Sequence, residues 1–122
     1  MKSTKILLLL LWVQGIYFTL TGIWPFIHLK SFLWITGPKN DIWLLKTVAG
    51  LITAIGLTFL VSAYRREFTA AVITLALGSA FCLMAIDIYY ATNDVIWDVY
   101  LLDAIAEAIL IIAWTIGLSK AK

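Results

Sequence analysis

Hydrophobic residues form four long blocks along the chain, and short polar stretches separate them. The blocks cover residues 6–27, 42–64, 68–91 and 95–118. Each is close to the roughly 20 residues that an α-helix needs to cross the hydrocarbon core of a bilayer. The pattern therefore predicts an all-α integral membrane protein, a four-helix bundle in which residues 1–122 form a single domain.

The composition supports this class and excludes several others. Of the 122 residues, 63% are hydrophobic and 13% are charged, whereas soluble domains average about 25% charged residues. The basic residues lie at the ends of the blocks, so we predict no nucleic-acid partner. Cys82 is the one cysteine, which excludes a disulfide within the chain. No metal-binding, nucleotide-binding or hydrolase motif is present, and we predict no metal and no cofactor.

The basic residues also predict how the helices are oriented. Six fall on one side of a four-span arrangement: Lys2, Lys5, Arg65, Arg66, Lys120 and Lys122. Three fall on the other side: Lys30, Lys39 and Lys46. Because cytoplasmic loops carry the excess of Lys and Arg, both termini are predicted to be cytoplasmic. The first loop, residues 28–41, is expected at the membrane interface, either as a solvated connector or as a lid.

Small residues recur at four-residue spacing on the second and third blocks. The two stripes are Gly50, Ala54, Thr58 and Ser62, and Ala70, Thr74, Gly78 and Cys82. Such stripes let helix backbones approach closely in lipid. They predict that the second and third helices pack along each other, with Cys82 as a small packing residue.

The fourth block, "VIWDVYLLDAIAEAILIIAW", carries acids in an otherwise apolar helix. Asp103 and Glu107 are four residues apart and share one helix face. An acid near the centre of a membrane helix costs about 2.5–3.5 kcal/mol, so this face is expected to point into the bundle. Two neighbouring carboxyl groups in a medium of low dielectric constant resist ionising together, so at least one is expected to be protonated near neutral pH.

Other polar residues fall in the half of the bundle that this topology places outward, while the cytoplasmic half is an apolar plug. We predict an outward-facing pocket in which Glu107 and Asp103 are the candidate acid and base. His28, Lys46 and Asp87 are candidates to orient or polarise the ligand. The candidate ligand-binding residues are Gln14, Tyr17, Thr21, Thr53, Tyr90, Tyr100 and Trp114.

The segments "TGPKNDIWLLKT", "DIYY" and "VYLLDAIAE", together with His28, resemble small bacterial four-helix membrane proteins. In size and layout the chain is broadly similar to DoxX-like proteins. This resemblance implies the bacterial inner membrane and no established reaction. Small multidrug transporters share the four short helices, but their functional glutamate is on the first helix, where this chain has Gln14.

Three functional hypotheses follow from these observations. In the first, the pocket binds a lipophilic or amphipathic small molecule, and whether it also performs acid–base catalysis stays open. In the second, the chain is an accessory or structural membrane subunit whose buried charges pair with a partner or lock the bundle. In the third, it is a proton-coupled small transporter that acts as a homodimer.

Overall fold

A computed structural model describes residues 2–121, and these residues form five α-helices and no β-strand. The helices are α1 (Lys2–Ile27), α2 (Leu29–Thr36), α3 (Ile42–Arg65), α4 (Ala70–Thr92) and α5 (Val99–Ala121). All four long helices are apolar and long enough to cross a membrane. The prediction of an all-α chain with four long apolar helices, each a candidate membrane span, is therefore confirmed. Residues 1 and 122, which include the Lys122 counted for orientation, lie outside the described residues.

The last helix begins later than the sequence pattern predicts. After α4, the chain turns through Asp94, whose φ of 59° is left-handed, and α5 begins only at Val99. At 1.5 Å per residue, Asp103 lies about 6 Å and Glu107 about 12 Å along the axis from the start of α5. Both acids are therefore closer to the helix end than a start at residue 95 implies.

Helix α1 is the central element of the bundle. It packs against α3 on one side and α5 on the other, and α4 packs mainly against α5. Helices α3 and α4 touch at few positions, although only residues 66–69 connect them. The extended packing predicted between their small-residue stripes is not formed. A Cβ atom added to Gly78 would meet nothing within 4 Å.

The close backbone contact lies instead between α1 and α3. A Cβ atom on Gly22 would lie 2.6 Å from the carbonyl oxygen of Ala49. A Cβ atom on Gly56 would lie 2.6 Å from the backbone nitrogen of Thr19. Real Cβ atoms do not approach backbone atoms this closely, so glycine is required at both positions. Small residues do draw two helices together, as expected in lipid, but the partner of α3 is α1.

The two ends of the bundle differ in composition. We call the end with both chain termini and the α3–α4 connection the terminal end, and the opposite end the α2 end. The buried apolar core fills the terminal end and the middle, and consists of Leu7, Leu10, Leu11, Phe18, Phe59, Ala63, Ala76, Leu110 and Trp114. The outward faces of the long helices expose large apolar side chains, as helices in contact with lipid do.

The segment predicted as the first loop contains helix α2, which packs on α1 and α5. Phe32 is buried, and its ring meets that of Trp24 edge-on at 5.2 Å between centroids. Gly37 ends the helix with a φ of 100°. A Cβ atom there would lie 2.9 Å from the ring of Trp97. Helix α2 is therefore held against the rest of the bundle by apolar contacts.

The α1–α3 contact predicts a difference between two glycine substitutions. Gly56→Ala should lower the free energy of unfolding by about 1–3 kcal/mol, because the added methyl group must push the two backbones apart. Gly78→Ala is the matched control, since its methyl group enters open space. Thermal unfolding of both variants in one detergent measures the effect. Equal midpoints for the two variants would contradict the close contact.

Candidate carboxyl site within the bundle

Three carboxyl groups and one tyrosine from three helices meet toward the α2 end. Tyr17 comes from α1, Asp87 from α4, and Asp103 and Glu107 from α5. The hydroxyl group of Tyr17 donates a hydrogen bond to Oδ1 of Asp103. Asp87 lies within electrostatic range of both Asp103 and Glu107. We call these four residues the carboxyl cluster.

Helix packing determines which members of the cluster are shielded. Because α5 packs against both α1 and α4, the face that carries Asp103 and Glu107 is turned inward, as the four-residue spacing predicts. Glu107 is completely buried, Asp87 is 5% exposed, and Asp103 is half-buried. The cluster is thus deepest at Glu107 and more accessible at Asp103.

The buried carboxyl oxygens lack hydrogen-bond donors. Both side-chain oxygens of Glu107 and Oδ2 of Asp87 have no partner among the described residues. Buried polar groups are normally hydrogen-bonded, and leaving one unpaired costs about 1–3 kcal/mol, or more when it is charged. Among residues 4–120, whose side chains are described, the one ion pair is Arg65 with Glu67, which is exposed in the α3–α4 connection. The cluster therefore offers acceptors that no described basic side chain satisfies.

The two basic candidates from the sequence lie outside the cluster. His28 is exposed, and its Nδ1 accepts a hydrogen bond of 3.1 Å from the backbone N–H of Ser31, which caps the start of α2. Lys46 is exposed on α3, a helix that packs on α1 rather than on α5. Neither side chain forms an ion pair with Asp87, Asp103 or Glu107. The structure does not bring His28 or Lys46 together with the acids.

Gln14 and Trp114 form a separate buried network near the middle of the bundle. Trp114 donates from Nε1 to Oε1 of Gln14 at 2.7 Å. Gln14 donates from Nε2 to the carbonyl oxygen of Ala76 at 3.0 Å. Both side chains are fully buried. This network joins α1, α4 and α5, and it uses the polar atoms that the sequence suggested for ligand binding.

Two of the remaining candidates bond within their own helix, and a third is exposed. Thr21 donates to the carbonyl oxygen of Tyr17 at 2.6 Å, and Thr53 donates to that of Ala49 at 2.8 Å. Tyr90 is exposed. Among the predicted ligand-binding residues that the structure describes, Tyr17 is the one whose side chain hydrogen-bonds to an acid.

A second cation, Lys39, lies over the start of α5. Its ammonium group is 5.1 Å from the ring centroid of Tyr100 and 5.3 Å from that of Phe32. It also donates to Oγ1 of Thr36 at 2.9 Å. From the sequence, Lys39 contributes only to the prediction of helix orientation. The turn segment "TGPK", close to aromatic residues, is the signal that could have indicated its place over aromatic rings. The rings and the hydroxyl group hold Lys39 at the α2 end.

An apolar groove, which the sequence did not indicate, runs between α3 and α4. Its volume is about 420 Å³. The walls are formed mainly by Phe18, Ile52, Ile55, Leu75, Gly78 and Leu83. Cys82 also lines it and is exposed, so it is not the packing residue that the sequence predicted. We call this feature the α3–α4 groove.

No group of three or more His, Cys, Asp and Glu side chains in the described chain is arranged to hold a metal ion. A carboxyl group next to a second carboxyl group and a tyrosine hydroxyl can accept hydrogen bonds, and it can give or take a proton.

No family model, curated protein or solved structure matches this chain. The resemblance to DoxX-like proteins therefore stays a prediction. Function has to be inferred from the geometry of the chain itself.

The buried glutamine predicts a loss of stability when it is made apolar. Gln14→Met should lower the free energy of unfolding by about 1–3 kcal/mol, because Nε1 of Trp114 loses its acceptor. Thr58→Val is the control, since this exposed hydroxyl bonds only to the carbonyl oxygen of Ala54 in its own helix. Thermal unfolding in detergent compares the two variants. A Gln14→Met protein as stable as the control would show that the network contributes nothing.

Proposed function

We propose that this chain is a membrane protein that binds an amphipathic small molecule at the carboxyl cluster. The observation that supports it most strongly is Glu107, a fully buried carboxyl group with two unpartnered oxygens beside Asp103. Intramembrane acids without a counter-charge are typical of functional sites. A ligand that donates hydrogen bonds to these oxygens would supply the donors that the chain lacks there.

Proton transfer to or from the ligand is the chemistry that this cluster favours. In this proposal Asp103 and Glu107 act as base and acid, and the hydroxyl group of Tyr17 holds the carboxyl group of Asp103 in place. Two carboxyl groups that cannot both ionise easily form the pair that general acid–base catalysis uses. Asp87 adds a third carboxyl group that favours a ligand with several donors.

The cellular setting of the proposal rests on the basic residues and on the four apolar spans. We place both termini in the cytoplasm, because Lys and Arg are more frequent at the terminal end, and the resemblance to DoxX-like proteins implies a bacterial inner membrane. The α2 end and the carboxyl cluster then face the periplasmic side. A ligand would reach the cluster from that side or from the outer leaflet.

A purely structural role for the acids has less support. The helix order is already determined by the α1–α3 backbone contact and by the Gln14–Trp114 network. An ion pair that fixes the helix order also needs a cation, and neither His28 nor Lys46 lies at the cluster.

The proposal predicts a molecule that co-purifies through Glu107. Native mass spectrometry of gently extracted wild-type protein should show a bound small molecule, and Glu107→Gln should lose it because an amide donates where the carboxylate accepts. Glu67→Gln is the matched control, since this glutamate is exposed in the α3–α4 connection. It should retain the molecule.

The same spectra separate the alternatives. A ligand-free wild type that is as stable as Glu107→Gln would contradict a binding site and favour a subunit role. A dimer whose proton-dependent cation flux disappears in Glu107→Gln would favour a transporter. A bound molecule that survives in Glu107→Gln would show that it binds elsewhere.

A further inference from the structure

The α3–α4 groove ends at Leu83, about one helical turn along α4 before Asp87 of the carboxyl cluster. Leu75, Ser79 and Leu83 line the groove at four-residue spacing, and Asp87 is the next residue of this row. Leu83 and Asp87 are separated by about 6 Å along the helix axis. On α1, Phe18 lines the groove and follows Tyr17 of the cluster directly. The groove and the cluster are therefore neighbouring parts of one region.

The groove has the size and chemistry of a site for an aliphatic chain. Its volume of about 420 Å³ lies within the range of about 300–1,000 Å³ that is usual for small-molecule sites. The groove is open where α3 and α4 fail to pack, on the face that long apolar helices turn toward lipid. Gly78 leaves open space there, because a Cβ atom would meet nothing within 4 Å. A single alkyl chain can enter from the lipid side.

The cluster determines the head group that such a chain would carry. It contains three carboxyl groups, and none of the basic side chains described near it pairs with them. A fatty acid would bring a fourth carboxyl group and be repelled. A primary ammonium group has three N–H donors and a positive charge, which match the unpartnered oxygens of Glu107 and Asp87. Charge complementarity therefore favours an amine.

We infer that the ligand is a single-chain alkylamine whose tail lies in the α3–α4 groove and whose amino group lies at the carboxyl cluster. This inference rests on the proposed function and adds the chemical class of the ligand and its route of entry. The complex needs no covalent step, because the amine binds as the ammonium ion through hydrogen bonds and charge.

Photolabelling tests this assignment with defined probes. Dodecylamine with a diazirine at the far end of its chain is added to full-length protein in lipid nanodiscs, and labelled peptides are identified by mass spectrometry. Label is expected at the far end of the groove, on residues such as Leu75, which lies about 18 Å along α4 from Asp87. Excess unlabelled dodecylamine should compete, whereas laurate of the same chain length should not.

Two leucine substitutions distinguish labelling in the groove from labelling elsewhere on the helix surfaces. Gly78→Leu fills the open space and should reduce labelling by about tenfold or more at a fixed probe concentration, the effect of losing about 1.4 kcal/mol of binding free energy. Gly50→Leu adds the same side chain outside the groove, where a Cβ atom meets only Phe26 at 3.7 Å. It should label like wild type, and equal thermal stability of both variants confirms that they are folded.

Glu107→Gln distinguishes failure of this inference from failure of the proposed function. If Gly78→Leu labels like wild type while Glu107→Gln does not, the groove assignment is overturned and the carboxyl site stands. Laurate competing as well as dodecylamine would overturn the amine assignment. Labelling that is unchanged in Glu107→Gln would overturn both proposals.

Discussion

The arrangement of the bundle depends on the contact between the backbones of α1 and α3. Gly22 and Gly56 let the two helices approach until a methyl group at either position would clash with the opposite backbone. Once α3 occupies that side of α1, the opposite side, with Gln14 and Tyr17, is left to meet α5. Helix α4 then packs on α5, and a gap remains between α3 and α4. One close contact thus determines both the carboxyl cluster and the groove.

Two polar networks connect the same three helices and differ in how completely they are satisfied. In the first, Gln14 accepts from Trp114 and donates to Ala76, so every side-chain group has a partner. In the second, the hydroxyl group of Tyr17 donates a hydrogen bond to Asp103, while no donor reaches the side-chain oxygens of Glu107. In an apolar medium a satisfied network stabilises one packing arrangement, and an unsatisfied one is costly. We therefore interpret the satisfied network as structural and the unsatisfied one as the candidate site, although both lie where α1, α4 and α5 meet.

The sequence predicted the spans well because block length and hydropathy depend on local composition alone. It also predicted the shared inward face of Asp103 and Glu107, which follows from helical periodicity. It did not predict which helices are neighbours, since small-residue stripes occur on several helices and only packing selects a pair. For that reason Lys46 was expected at the acids but lies on α3, away from α5. Helix α2 was also missed, because a short interfacial helix has no long apolar block.

The closest helix contact joins the first two spans to be synthesised, and this has a consequence for assembly in the membrane. Chains emerge from the ribosome with the N-terminal part first, so α1 and α3 can pair before α4 and α5 exist. Helix α5, which carries two acids, is the least favourable span to leave alone in lipid. It enters last, when Tyr17 is already positioned on α1 to receive Asp103. Because of this order, the acids of α5 can contact α1 instead of lipid as soon as α5 is inserted.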